Sequence, residues 1–292
     1  MWGVKVTIPL FKYLPQGIGE VVLRNRTLRW STPQTLNDPF DMQTGLDLAF
    51  NKAEVVDIAL EKSWESFNNV EAPIGNALGV MLAFMREKGV KISREEFMKE
   101  MRPALIECCA NLRAGLPELD AVFLKELATT KVLCLSGSPI IVPLWTHYAQ
   151  EHKGIVLEFG EAAGLDSPWK LARPMNYVDA PPKLYDDEFW SDMMSGRTSM
   201  DAKTIMRRYI FTKGKAWESE CEHRISTGEG RKPDALFEDA KFAEQELVSI
   251  TFGCRMDGND REKFAELAKV ANPEITIRQA IKQGAELVIT KL

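Results

Sequence analysis

The hydrophobic period of the chain changes twice, and that change restricts the fold more than any other feature. In 53–67, 76–88, 94–114 and 119–128 apolar residues recur at intervals of three and four, the spacing that lines one face of a helix. On either side of this block the pattern shortens. Residues 27–30, 131–136, 154–159, 221–226, 247–252 and 287–290 alternate or run briefly apolar, as strands do. A further strand is expected at 171–178, and helices at 17–25, 142–150, 186–194, 201–219 and 259–270. The strands are scattered among helices without regular βαβ spacing, which predicts an α+β fold with a mixed or antiparallel sheet core. That core is expected from 1–51 and 131–292, with 52–130 as a helical insertion. Ser93-Arg-Glu-Glu96 fits a capping box ahead of the third insertion helix. Pro103 falls inside that helix and is expected to kink or break it.

A chain of 292 residues, 45% hydrophobic, can bury a core without covalent staples. Its formal charge of −5 excludes a globally basic nucleic-acid coat but leaves room for a local basic cleft. No run of about 18 apolar residues occurs, so no membrane span is expected. The five cysteines, Cys108, Cys109, Cys134, Cys221 and Cys254, form no Cys-x-x-Cys pair and read as free thiols of a reducing compartment. The first residues lack a basic stretch and a small-residue cleavage site, so the expected location is the cytoplasm.

Three segments concentrate chemistry. The first is Trp145-Thr-His-Tyr-Ala-Gln-Glu-His-Lys-Gly154. His147 and His152 are five apart, whereas a helical metal pair needs three or four, so no metal is expected. The segment reads either as a short helix with Trp145 and Tyr148 in the core and Gly154 as its cap, or as an aromatic–imidazole wall. Such a wall would stack on a heterocycle and bond to ribose or phosphate. The second is Trp217-Glu-Ser-Glu-Cys-Glu-His-Arg-Ile225. On a strand, Glu218, Glu220, Glu222 and Arg224 share one face. They form either a solvated face with an ion pair, or a set of mutually repelling carboxylates whose position and proton affinity are tuned for function. The third is the turn-rich loop 31–41, either a well-bonded turn or a cleft floor carrying Ser31, Thr32 and Asn37, with Lys12 and Tyr13 nearby.

Several classes are excluded by motif. There is no Gly-x-x-x-x-Gly-Lys-Ser/Thr loop, no complete dinucleotide fingerprint around Gly17 and Gly19, and no Gly-x-Ser-x-Gly elbow. A cysteine–histidine pair brought together by folding stays open, although Cys134 lies in an apolar strand where a thiol is inert.

Together these segments resemble an uncharacterised bacterial family known as a domain of unknown function. Its marks are an opening Lys-Tyr strand, a Ser-x-Pro-x-x-Phe-Asn-Asp-Pro-Phe-Asp loop, Trp-x-His-Tyr-Ala-x-x-His-x-Gly and Trp-x-x-Glu-x-Glu-x-Arg. Here they are Lys12-Tyr13, residues 31–41 with Leu36 in place of Phe, 145–154 and 217–224. A second resemblance is to ADP-ribosyltransferases. These carry a basic or His residue on an early strand, a Ser/Thr motif and a late catalytic Glu, often within Glu-x-Glu. The analogues are Lys12 or Arg29, then Ser31-Thr32 or Ser136-Gly-Ser138, then Glu220-x-Glu222. Lys12 stands where the family has His or Arg.

The second resemblance implies a transferase or glycohydrolase that cleaves the N-glycosidic bond of NAD or a related nucleotide, with NAD as substrate. Glu222 would stabilise the oxocarbenium-like centre, Glu220 would orient the acceptor, and His147 is a third catalytic candidate. Trp145 and Tyr148 would stack on a base. His147, His152, Lys153 or Arg224 would hold pyrophosphate, and Lys12, Tyr13, Ser31 and Asn37 complete the expected binding set. The acceptor would be protein, nucleic acid or water, and the first family resemblance suggests a toxin or anti-phage effector. The alternatives are a metal-independent nuclease using His147, His152 and Lys153, or a non-catalytic ligand-binding or interaction module.

Overall fold

Prolines bracket the first strand. Pro9 precedes β1 (Leu10–Leu14), and Pro15 ends it and serves as the N-cap of α1 (Gln16–Asn25), since proline fits a helix start where no N–H is needed. Arg26, left-handed at φ 50°, stops α1 and turns the chain into β2 (Thr27–Ser31). The computed structural model describes residues 8–43, 50–179, 186–200 and 202–292. The elements that follow are α2 (Lys52–Asn68), α3 (Ala77–Glu87), α4 (Arg94–Thr129), β3 (Val132–Ser136), α5 (Val142–His147), β4 (Ile155–Phe159), β5 (Arg173–Pro174) and β6 (Asn176–Val178). Next come α6 (Asp187–Met194), α7 (Ala202–Ile210), β7 (Thr212–Gly214), β8 (Glu222–Ser226), β9 (Phe237–Lys241), β10 (Leu247–Phe252), α8 (Gly258–Ala271), β11 (Thr276–Gln283) and β12 (Glu286–Lys291). The fold is α+β, as the scattered strands predicted.

The chain forms two compact units, one of 1–43, 128–179 and 211–292, the other of 44–127 and 180–210. The second unit therefore takes in 180–210 as well as most of the expected insertion. Polar ties explain this. Lys62 Nζ reaches Asp192 at 2.7 Å, and the Asn76 side chain donates to the carbonyls of Met193 and Thr198 at 2.7 and 2.8 Å. Phe67, Leu82 and Phe97 form an apolar cluster in this unit.

Pro103 does not interrupt the insertion. α4 runs unbroken for 36 residues through both Pro103 and Pro117, joining two expected helices into one. Each proline costs about 3 kcal/mol in a helix interior, and the buried side chains Phe97, Leu105, Cys109, Phe123 and Leu127 offset that cost. Ser93 caps α4 as expected, its Oγ accepting from the Glu96 N–H at 3.2 Å. The expected helix at 201–219 also differs. It ends with α7 and gives way to β7 and a 3₁₀ turn, Lys215–Glu220. The strand expected at 171–178 is two short pieces, β5 and β6.

In the first unit the sheet order is β12-β11-β10-β4-β1-β3-β2-β9, with β8 on β3 and β5 on β8. Leu10 and Leu14 of β1 join the main core with α1 and α8 residues such as Leu23 and Phe264. Phe11 and Tyr13, of opposite parity, pack with Leu144 and Trp145 of α5. One irregularity decides where the site lies. β3 pairs with β8 along its length, but its other edge is divided: Ser136 pairs with Phe11 of β1, and Val132 with Ser31 of β2. The sheet forks there. Midway between the two, the Cys134 carbonyl is met by the Lys12 ammonium at 2.7 Å.

No helix among the described residues is long and apolar enough to cross a membrane. All five cysteines are free thiols.

Candidate functional site

At the fork of the sheet lies a cavity of about 270 Å³, lined from β1, β2 and its following loop, β3, Tyr148 just past α5, and the segment 213–222. Its floor is an alternating chain of buried charges. Lys213 Nζ donates to Glu220 Oε2 at 2.7 Å and to Glu222 Oε2 at 2.6 Å. Arg224 Nε donates to Glu222 Oε1 at 2.9 Å, and its Nη1 and Nη2 grip Asp41 at 3.1 and 2.7 Å. A buried charge is tolerated only when paired in this way.

Local backbone geometry brings these groups together. The 3₁₀ turn ends at Glu220, Cys221 adopts φ 46°, and β8 begins at Glu222. Glu218, Glu220, Glu222 and Arg224 therefore do not share one strand face as the alternation predicted. Glu218 is exposed on the turn, while the reversal at Cys221 turns Glu220 and Glu222 toward one lysine. The Tyr177 hydroxyl accepts from the Glu222 N–H at 2.7 Å, and Ser136 Oγ donates to the Glu220 carbonyl at 2.8 Å. Both carboxylates are thus fixed by backbone as well as by charge.

The electrostatics follow. Burial would raise the proton affinity of Glu222, but Arg224 and Lys213 overcome it and hold the carboxyl at about 2, ionised at any physiological pH. Burial would likewise lower Lys213, yet Glu222 and Glu220 hold it above the usual lysine range. Cys134 is pushed up to about 12, first by burial and then by Glu222, so its thiol is no nucleophile. Burial, with the Glu220 charge, also raises the Tyr148 hydroxyl.

Glu222 has both carboxylate oxygens engaged. Glu220 uses Oε2 on Lys213, while its Oε1 has no hydrogen-bond partner among the described residues. Of the two, Glu220 is therefore the carboxylate with an acceptor to offer a ligand, and Glu222 holds Lys213 in place.

Of the residues singled out from sequence, Glu220, Glu222, Lys12, Tyr13, Arg29, Ser31, Asn37, Ser136 and Tyr148 line this one cavity. Thr32, Ser138 and Glu218 do not, and neither do five of the expected catalytic and binding residues. Arg224 is fully enclosed beneath Glu222, where it meets Asp41 and no ligand phosphate. Trp145 is fully buried, its indole N–H donating to the Pro139 carbonyl at 2.9 Å and its ring edge-on to Tyr13. His152 stacks on Trp145 with ring centroids 6.0 Å apart, and His147 and Lys153 are exposed away from the cavity. Imidazoles and late carboxylates thus do not meet in this cavity; only the tyrosine of the aromatic segment reaches it.

Three contributors escaped the sequence reading. Lys213 lay in an expected helix, where nothing marks it as a partner of Glu220. Asp41 closes the loop motif, but nothing in the sequence pairs it with Arg224. Trp217, at the head of the Glu-x-Glu segment, lines the cavity with its ring 5.0 Å from the Lys213 ammonium. No group of three or more His, Cys, Asp or Glu side chains suited to a metal ion occurs among the described residues. No protein-family model matches the chain, and neither a curated protein nor a solved structure matches it.

Proposed function

We propose that the chain is an enzyme that cleaves an N-glycosidic bond of a nucleotide, with NAD as the first substrate to test. The observation that carries this reading is Glu220: a carboxylate fixed by Lys213 yet with one oxygen unbonded, in a cavity that also holds the rings of Tyr148 and Trp217. Breaking the nicotinamide–ribose bond sends the bonding electron pair to nicotinamide and leaves positive charge on the ribose C1′ and ring oxygen. A carboxylate already fixed in place stabilises that charge without reorganising. Glu220 is assigned to the ribose, Tyr148 and Trp217 to the flat base, and Ser31, Asn37 and Lys12 to the sugar hydroxyls. Water, a protein or a nucleic acid would then add at C1′; with water the products are nicotinamide, ADP-ribose and a proton. The cavity is near the lower end of ligand-pocket volumes, about 300–1,000 Å³, so it suits the nicotinamide–ribose half, with the rest of the dinucleotide outside.

Depletion of a cell's NAD would make such a protein a cytoplasmic toxin or anti-phage effector, a setting that rests on the family resemblance alone. Nothing in the geometry favours the nuclease alternative, because neither His147 nor His152 lines the cavity. The test is incubation with NAD followed by chromatography for nicotinamide. Glu220→Gln is expected to lower release by about a hundredfold or more, the scale for losing one preorganised electrostatic stabiliser, while far-UV circular dichroism stays unchanged. Absence of nicotinamide release by the wild-type chain overturns the reading and leaves a ligand-binding module.

A further inference from the structure

We propose that Lys12 is a nucleophilic amine that forms an imine with a small hydroxylated aldehyde or ketone held in the cavity. The inference stands apart from glycosidic cleavage and needs no nucleotide.

Three lysine or arginine side chains line the cavity, and two are already neutralised. Lys213 is held between Glu220 and Glu222, and Arg29 pairs with Asp239 at 3.0 Å. Lys12 has no carboxylate within ion-pair distance among the described residues, and its Nζ bonds the neutral Cys134 carbonyl at the fork. An ammonium desolvated without a counter-ion gives up its proton more readily than an ordinary lysine, and burial lowers Lys12 in that sense, against the weaker pull of Cys134, Glu222 and Glu220. The other lysine of the site is fixed as a cation, so the two amines of one cavity have opposite chemistry.

In the step itself, the lone pair on Nζ attacks the carbonyl carbon and the C=O π electrons move to oxygen. One nitrogen proton is transferred to that oxygen, giving a carbinolamine. Its hydroxyl then leaves with the second nitrogen proton as water, and the C=N bond forms. Protonation of the imine restores the cation, which Glu222 and Glu220 stabilise. The unbonded Oε1 of Glu220 and the amide of Asn37, which also bonds the Tyr148 hydroxyl, line the same cavity as Lys12 and offer polar groups to hydroxyls beside the carbonyl. Hence the ligand class is a hydroxyaldehyde or hydroxyketone small enough for the cavity.

The probe is glycolaldehyde at low molar excess with cyanoborohydride, which reduces the imine to a stable hydroxyethyl amine. Peptide mass spectrometry then ranks the lysines. Lys12 is expected to be modified at least tenfold faster than the exposed Lys153 and Lys215, and Lys12→Arg is expected to lose that fast adduct while the slow labelling elsewhere is unchanged. Modification of Lys12 no faster than those two, or none at all, overturns the proposal. The ranking is made in the wild-type chain, so it stands even if the arginine variant folds poorly.

Discussion

Arg224 and Asp41, 183 residues apart in sequence, form a two-pronged pair at 3.1 and 2.7 Å, with the arginine side chain 0% exposed. Through this pair the loop after β2 is anchored beneath the strand that carries Glu222. Asp41→Ala strips the buried guanidinium of its two-pronged carboxylate partner. Breaking a buried pair from one side costs about 3–5 kcal/mol, and urea unfolding is expected to show a loss on that scale. A loss below about 1 kcal/mol would mean that the pair does not hold the loop.

Glu222 ties stability to acid. Its carboxyl is held at about 2 against an ordinary 4.5. The folded value is the lower one, so the stabilisation is complete above 4.5 and is lost as pH falls from there toward 2. A shift of that size corresponds to on the order of 3 kcal/mol. Glu222→Gln is expected to lower stability at pH 7 and to flatten the decline between pH 4.5 and 2, as followed by unfolding at a series of pH values. An unchanged slope would show that Glu222 is not the group responsible.

The outline of the core was legible because its strands are apolar: 131–136, 154–159 and 247–252 follow β3, β4 and β10 closely. β9 and β11 were not seen, because Phe237-Glu-Asp-Ala-Lys241 and Thr276-Ile-Arg-Gln-Ala-Ile-Lys-Gln283 carry charged and polar residues through paired strands. Glu220 and Glu222 stood out by their repeat, but their alignment depends on Cys221 being left-handed, a conformation no local signal marks at cysteine. Lys213 was hidden for a different reason: its importance is a tertiary fact, made by the turn that folds residue 213 back onto 220 and 222. In 145–154 the sequence signal was strong but its meaning was divided, and the structure gives most of that segment a packing role.

Two glycines separate packing from flexibility. A Cβ on Gly154 would lie 2.3 Å from the Leu14 carbonyl oxygen, which backbone cannot yield cheaply, whereas one on Gly17 meets nothing within 4 Å. Gly154→Ala is expected to destabilise by about 1–3 kcal/mol or more. Gly17→Ala, in α1, is expected to stabilise by about 0.5–1 kcal/mol through lost freedom of the unfolded chain. Thermal melts of the two variants should shift in opposite directions.

Gln150, Glu151 and His152 are left-handed in succession, at φ 51°, 52° and 68°. This turn swings the chain from the end of α5 into β4. It is held by the His152 N–H donating to the Trp145 carbonyl at 3.1 Å and by the His152 carbonyl accepting from the Arg255 N–H at 2.9 Å. The His152 ring lies on Trp145, and its Nδ1 is buried without a partner among the described residues. Burial first, and then the Arg255 charge, lower its proton affinity below the ordinary 6.5. Because the folded value is the depressed one, the unfolded chain takes up the proton first, and this residue costs stability as pH falls below 6.5. His152→Asn, which accepts the left-handed conformation, is expected to remove that part of the pH dependence, whereas His152→Val is expected to destabilise by about 1–3 kcal/mol at every pH through backbone strain. The ring resonance of His152 in an NMR titration checks the premise directly. Titration at or above 6.5 would assign the acid sensitivity elsewhere.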